Sequence, residues 1–424
     1  MANKHRVVIV GGGAGGLELA TQLGKKFGKK HDITLVDAKL THIWKPLLHE
    51  IAVGTLNASV EEVNYFAHAK KNHYKFNLGY LNKIDRENKK IYLAPLTQGN
   101  LELSAERTLD YDTLILAIGS TSNDFNTPGA REFCHFLDNR EQADQFQREL
   151  LNLYLQAHAT PREHPLNVTI IGAGATGVEL AAELHQAAKD FHRYGLDGID
   201  PNEVKIRIIE AADRILPALS DKVAKAALQQ LAKYGIEVHT QHRVEKISAD
   251  KVYCQGDVVF DTSITVWAAG IKAPDITKNF GLTLDRIGRI DVYATLQSKD
   301  DPDIFAFGDC AHCQPIANQP VLAPRAQVAS QQAAFLVDAI TARLKEKPLP
   351  MFKFGDKGSL VSLTQHQAVG ELLDGIHVEG LLAKTAYHSL YRLHQANIHG
   401  YTVAGLLTMK DFFNKGSSPD LKLH

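Results

Sequence analysis

Arg6-Val-Val-Ile-Val10, then Gly11-Gly-Gly13-Ala-Gly-Gly16, then LELATQLGKKFG is the stretch that decides the fold. The β-branched run reads as a buried parallel strand, and the segment after the glycines has helical periodicity. Strand, Gly-x-Gly-x-x-Gly and helix make a dinucleotide-binding unit. Gly11 permits the tight turn, Gly13 lets a pyrophosphate approach the backbone, and Gly16 lets the helix pack on the strand. The helix start offers unpaired N–H groups and a partial positive charge to the phosphates. A second strand, Ile33-Thr-Leu-Val36, ends in Asp37, 21 residues past Gly16. A carboxylate there accepts a ribose hydroxyl.

The pattern repeats. Asn167-Val-Thr-Ile-Ile171 leads into Gly172-Ala-Gly174-Ala-Thr-Gly177 and the helical VELAAELHQAA. The next strand, Val204 to Ile209, ends at Glu210, 33 residues beyond Gly177, and KDFHRYGLDGIDPNE reads as an insertion before it. Glu210 pairs with a free 2′-hydroxyl and repels a 2′-phosphate, which favours NADH over NADPH, with nearby Arg214 as a counterweight. Two fingerprints imply two dinucleotides, and the expected pair is non-covalent FAD at the first and NADH, as substrate, at the second.

A chain of 424 residues has room for two or three domains. Basic and acidic residues number 47 and 48, so bulk charge excludes a basic nucleic-acid binder and we expect no such partner. Four cysteines are too few for a disulfide framework, which points to a reducing compartment. The MANKHR start lacks the features of a signal peptide, and no apolar run reaches the about 18 residues of a membrane span.

Three later strands narrow the reading: Tyr111 to Gly119-Ser, Thr265-Val-Trp-Ala-Ala-Gly270, and Ile304-Phe-Ala-Phe-Gly308-Asp309. With the fingerprints they resemble the two-dinucleotide-binding-domain flavoproteins, an α/β fold of two Rossmann-like domains with the NAD domain inserted in a split FAD domain. The resemblance implies boundaries at 1–130 and 280–350 for FAD, 131–279 for NADH, and a C-terminal region at 351–424. It gives Asp309, otherwise a strand-end cap, the flavin ribityl chain. Within that superfamily the chain is similar from end to end to the bacterial type II NADH dehydrogenases, NADH:quinone oxidoreductases that pump no protons. The similarity is carried by Trp44-Lys-Pro-Leu-Leu48, Asn126-Thr-Pro-Gly129, Gly177-Val-Glu179, Arg214-Ile-Leu-Pro217 and Pro324-Arg-Ala-Gln-Val-Ala-Ser-Gln331. It implies flavin contacts for Lys45, Gly119 and Ala326, and an NADH contact for Gly270. The first cysteine is Cys134, so the early redox cysteine pair of disulfide reductases is missing.

For the chemistry, the resemblance places Glu179 near the flavin–nicotinamide junction, in substrate binding and proton handling. By itself Glu179 reads as a first-turn carboxylate favoured by the helix dipole. Gln327 and Gln331, i and i+4 on a helix, share one face and can meet a quinone carbonyl without bringing charge into an apolar slot. The resemblance places such a pair at the quinone site, whereas two glutamines alone read as solvated surface. Cys310-Ala-His-Cys313 reads as small buried thiols, and no metal is assigned.

The stretch from Leu381 carries five basic and two acidic residues. In a helix, Leu382, Ala386, Leu390 and Leu393 share one face, and Lys384, His388 and Arg392 another. With Leu406, Leu407, Phe412 and Phe413 beyond, this reads as an amphipathic pair on an anionic lipid surface, or as helices packed on the protein's own core or a homodimer partner. A membrane quinone as substrate favours attachment, and the expected place is peripheral, on the cytoplasmic face of the bacterial inner membrane. The tail Gly416 to Asp420 is expected to be mobile.

Overall fold

Val7, Ile9, Leu35, Ile115 and Phe305 are fully buried, as strands covered on both faces demand. They belong to a parallel five-stranded sheet in the order Ile304–Ala306, Thr113–Leu116, Arg6–Val10, Asp32–Asp37, Lys75–Leu78. A second parallel sheet runs Cys134–Phe136, Ile264–Trp267, Leu166–Ile171, Val204–Ile209, Glu237–His239. The computed structural model describes residues 4–160, 165–316, 318–364, 367–373, 375–414 and 421–422.

Helix α1 (Ala14–Phe27) follows the first glycine loop, and a short helix α2 (Leu48–Val53) lies beyond the second strand. The second loop opens α3 (Ala175–Arg193). Having built the second sheet, the chain returns to the edge of the first at Ile304 and enters α4 (Ala326–Arg343). In both sheets the glycine-loop strand lies between the strand ending in the acid and one ending in small residues. Strand order reverses there, and the resulting crevice is where α/β sheets bind ligands.

The C-terminal region is more than a helix pair. It opens with an antiparallel three-stranded sheet (Gly358–Thr364, Gln367–Leu372, Ile376–Glu379), then α5 (Gly380–His399) and α6 (Tyr401–Asn414). Val361, Leu363, Val369 and Leu421 join the core of the second sheet, as do Leu48, Ile51 and Ala52 of α2. The expected mobile tail, Gly416 to Asp420, and the Phe412 side chain lie outside the described residues. Leu421 is buried, and the Lys422 N–H donates to the Gly54 carbonyl at 2.8 Å.

The two faces of α5 depart from the sequence reading. Lys384, assigned to the basic outer face, is buried, and its ammonium donates to Ser362 Oγ at 2.7 Å. Arg392 is paired with Asp411 of α6. Lys384 is drawn inward toward the buried carboxylates and Arg392 pairs at the part-exposed seam with α6, while Leu382, Leu390 and Leu393 stay exposed, with Leu406, Met409 and Phe413 on α6. The helix is amphipathic, but most of its charge serves the protein rather than a lipid surface.

Candidate active site: two dinucleotide cradles and a buried carboxylate cluster

The two glycine loops are built alike. Gly11 and Gly172 have φ of +103° and +104°, a left-handed backbone that favours glycine. A Cβ on Gly16 would lie 1.8 Å from the Gly11 carbonyl oxygen, and one on Gly177 would lie 2.0 Å from that of Gly172. The third glycine therefore lets the helix touch its loop. At Gly13 and Gly174 a Cβ would meet nothing within 4 Å. These open positions, at the starts of α1 and α3, are cradles of the kind a pyrophosphate fills.

The strand-end acids match too. Asp37 accepts from the Gly12 N–H at 2.6 Å and Glu210 from the Ala173 N–H at 2.7 Å. Burial raises the Asp37 carboxyl from its ordinary value, opposed by the N–H groups of Gly12 and Lys39. Arg214 turns away to the carbonyls of Pro217 and Leu219 and to Asp221, so its guanidinium is already engaged. Both loops thus fit dinucleotides, and the second fits one without a 2′-phosphate.

Around the first crevice, Lys45 Nζ donates to the Ser120 carbonyl at 3.0 Å, and Ser120 Oγ donates to Asp309 at 2.8 Å. Gly119 and Gly270 occupy equivalent strand ends, with φ of +68° and +65°. Helix α4, which opens at Ala326, packs on the same turn, where Gln332 in its second turn accepts from the Gly308 N–H at 2.8 Å. Ser120 thus links Lys45 to Asp309 beside Gly119, and α4 packs on the turn that carries Asp309.

Gln327 and Gln331 share a face of α4, but their amides are occupied. Gln327 donates to Asp356 and to the Gly358 carbonyl, and accepts from the Lys357 N–H. Gln331 exchanges two hydrogen bonds with the Gly355 backbone. Together they fasten the segment leading into the C-terminal sheet. A segment with no secondary structure of its own, pinned from a helix, leaves little trace in sequence periodicity.

Glu179 lies in the second turn of α3, past the first turn where the sequence reading put it beside the helix dipole, and is buried against the C-terminal unit, accepting from the Ser362 N–H at 3.0 Å. His49 Nδ1 is 3.7 Å from its other oxygen. Burial, with Glu50 and Glu183 nearby, pushes the Glu179 carboxyl up to about 8, against the pull of Lys384. Burial likewise raises Glu183 to about 7 and lowers His49 to about 3. Near neutral pH Glu179 therefore keeps its proton beside the neutral His49 imidazole. His49, Glu50 and Glu183 also bring ligand-type atoms within 4.8 Å of one another, the one such group among the described residues. Sequence reasoning missed His49, Glu50, Glu183 and Lys384. Glu179 and Glu183, i and i+4 on one helix, were the available signal.

Cys310 and Cys313 are buried free thiols, one just before the short strand Ala311–Cys313 and one at its end, and burial raises both to about 11, so neither is held as thiolate.

Residues 5–333 match the family model of the pyridine nucleotide-disulphide oxidoreductases. A type II NADH:quinone oxidoreductase of Haemophilus influenzae is 41% identical, with 99% of each chain covered. One from Staphylococcus haemolyticus is 28% identical over 87% of this chain and 90% of that relative. NDH2 of Plasmodium falciparum, solved in complex with NADH, has the same fold, with TM-score 0.84 and 20% identity over 99% of this chain and all of that one. The chain is an enzyme belonging to the type II NADH:quinone oxidoreductases, within the pyridine nucleotide-disulphide oxidoreductase family.

Proposed function

We propose that the protein oxidises NADH bound at the second loop by hydride transfer to FAD bound at the first, and passes two electrons to a membrane quinone without pumping protons. The observation that carries this reading is the pair of matched cradles, each with its own strand-end carboxylate, in one chain. Bound FAD supplies the hydride-accepting and electron-donating chemistry. The chain's residues bind, orient and supply protons. Gly11, Gly13 and Gly16 with Asp37 hold FAD, and Lys45, Gly119, Asp309 and Ala326 surround its reacting end. Gly172, Gly174 and Gly177, with Glu210 and Gly270, hold NADH.

Quinone reduction consumes two protons. A carboxyl raised to about 8 still carries its proton at neutral pH, which suits Glu179 as the donor, with Glu183 behind it. Gln327 and Gln331 are proposed as a wall of the quinone slot, fixing Gly355 and Gly358 at its edge. The exposed leucines of α5, with Leu406, Met409 and Phe413 of α6, are proposed to rest on a lipid surface at the cytoplasmic face of the inner membrane. Each leucine buried there contributes about 1.5–3 kcal/mol. With Lys384 and Arg392 engaged internally, apolar contact rather than anionic charge dominates. No helix among the described residues is long and apolar enough to cross a membrane.

Anaerobic stopped-flow tests the sequence of events. The flavin band near about 450 nm is expected to bleach on mixing with NADH and to return on adding quinone. A band that NADH leaves unchanged, or that quinone does not restore, refutes the proposal.

A further inference from the structure

One loop carbonyl is pinned differently in the two cradles. In the second, the Ala173 carbonyl accepts from the Leu216 backbone N–H at 2.8 Å. In the first, the equivalent Gly12 carbonyl accepts from two side chains, Tyr65 Oη at 2.6 Å and His42 Nδ1 at 3.0 Å. Pinning this group aims its neighbour. In a trans peptide the C=O of residue 12 and the N–H of residue 13 point in opposite directions. With the Gly12 carbonyl drawn into the protein, the Gly13 N–H faces the open cradle.

His42 is held by a helix more than 300 residues away in the chain. A carbonyl only accepts, so His42 Nδ1 carries a hydrogen. Burial, with the charge of His394 next, lowers His42 well below its ordinary value and keeps the ring neutral, so Nε2 presents a lone pair. His394 of α5 approaches that atom with its own Nε2 at 3.0 Å, and so donates. The other nitrogen of His394 lies 2.7 Å from Glu18 Oε1 of α1. Glu18 also accepts from Ser330 of α4 at 2.7 Å and from Asn397 of α5 at 3.1 Å. All three relay residues are buried, and Trp44 and His394 stack with ring centroids 5.9 Å apart.

We infer that His42 and His394 are positioning residues for the flavin pyrophosphate, and that the packing of α5 and the binding of FAD are coupled through the Gly12 carbonyl. The inference rests on the proposal that FAD occupies the first loop. Coupling is reciprocal: α5 in place strengthens FAD binding, and FAD bound holds α5 in place.

Two near-isosteric substitutions separate this role from simple packing. The glutamine amide nitrogen can take the place of the histidine Nε2 and keep the link to His42. The asparagine amide can take the place of Nδ1 and keep only the link to Glu18. FAD affinity of the full chain, read from flavin fluorescence, is expected to fall about tenfold in His394→Asn, the worth of one well-made hydrogen bond. In His394→Gln it is expected to stay close to wild type, and NADH affinity at the second loop is expected to hold in both. Hydrogen exchange on the wild-type chain gives the reciprocal reading, with amides near Tyr391 to Gln395 exchanging faster once FAD is removed. Equal FAD affinity in the two variants, or exchange in α5 that ignores FAD, overturns the relay. A wild-type chain that binds no FAD overturns the functional reading itself.

Discussion

Adding one methyl group at Gly13 and one at Gly16 should cause opposite failures. Gly13 has φ −60° and ψ −175°, a conformation open to alanine, and its Cβ would meet nothing within 4 Å. Gly13→Ala is therefore expected to fold, with stability within about 1 kcal/mol of wild type. The methyl would stand where a phosphate must sit. Losing two charge-assisted hydrogen bonds of about 1.5–3 kcal/mol each lowers FAD affinity by about a hundredfold or more. At Gly16 the added Cβ would lie 1.8 Å from the Gly11 carbonyl oxygen and 3.3 Å from Ala117 Cβ. Relief requires backbone to move by about 1 Å or more, so Gly16→Ala is expected to destabilise the fold by about 1–3 kcal/mol or more. Gly174→Ala and Gly177→Ala should repeat the contrast for NADH, since their surroundings match. Far-UV circular dichroism melts of flavin-stripped protein, with titrations of FAD and NADH, read the two effects separately. Gly13→Ala binding FAD with wild-type affinity, or Gly16→Ala melting like wild type, would refute the assignment of these glycines.

Glu179 gives a pH-dependent prediction. A carboxyl raised by burial from 4.5 to about 8 binds its proton more tightly in the folded chain, so folding loses stability as pH climbs through that window. Glu179→Gln should gain on wild type progressively from pH 5 to 8 in denaturant midpoints, and should slow the quinone-dependent phase while sparing bleaching by NADH. Replacing Glu210 with alanine should raise the KM for NADH and narrow the preference over NADPH, since Arg214 is held by Asp221; steady-state kinetics with both nucleotides decide it. Leu390→Glu with Leu393→Glu should abolish cosedimentation with vesicles without lowering the melting temperature, because both side chains are about two-fifths exposed. Wild-type attachment should change little between low and high salt, as apolar contact requires.

The two dinucleotide units were legible because each is local: strand, loop and helix lie within about thirty residues, and glycine has few substitutes where φ is positive or a helix touches its loop. Asp37 and Glu210 were legible for the same reason, since a strand end fixes its acid relative to the loop beside it. The C-terminal sheet was not. The segment before its strands is held by Gln327 and Gln331 rather than by a pattern of its own. The carboxylate cluster escaped because its members come from α2, α3 and α5, which only tertiary packing brings together. The faces of α5 were misassigned for a related reason. Periodicity shows that polar residues share a side, but not whether water or buried carboxylates lie against it.

The contrast between the carbonyls of Ala173 and Gly12 also bears on synthesis. The second loop is finished by Glu210 and Leu216, within about fifty residues, so the NADH cradle can complete itself as soon as its domain emerges. The first loop lacks its full set of partners until residue 394 has been made. On the proposed placement of the two dinucleotides, a ribosome-bound chain is competent for NADH well before it is competent for FAD, and tight capture of FAD is expected to report that α5 has arrived. Flavin affinity measured on stalled chains of increasing length should rise in a step once His394 can reach His42.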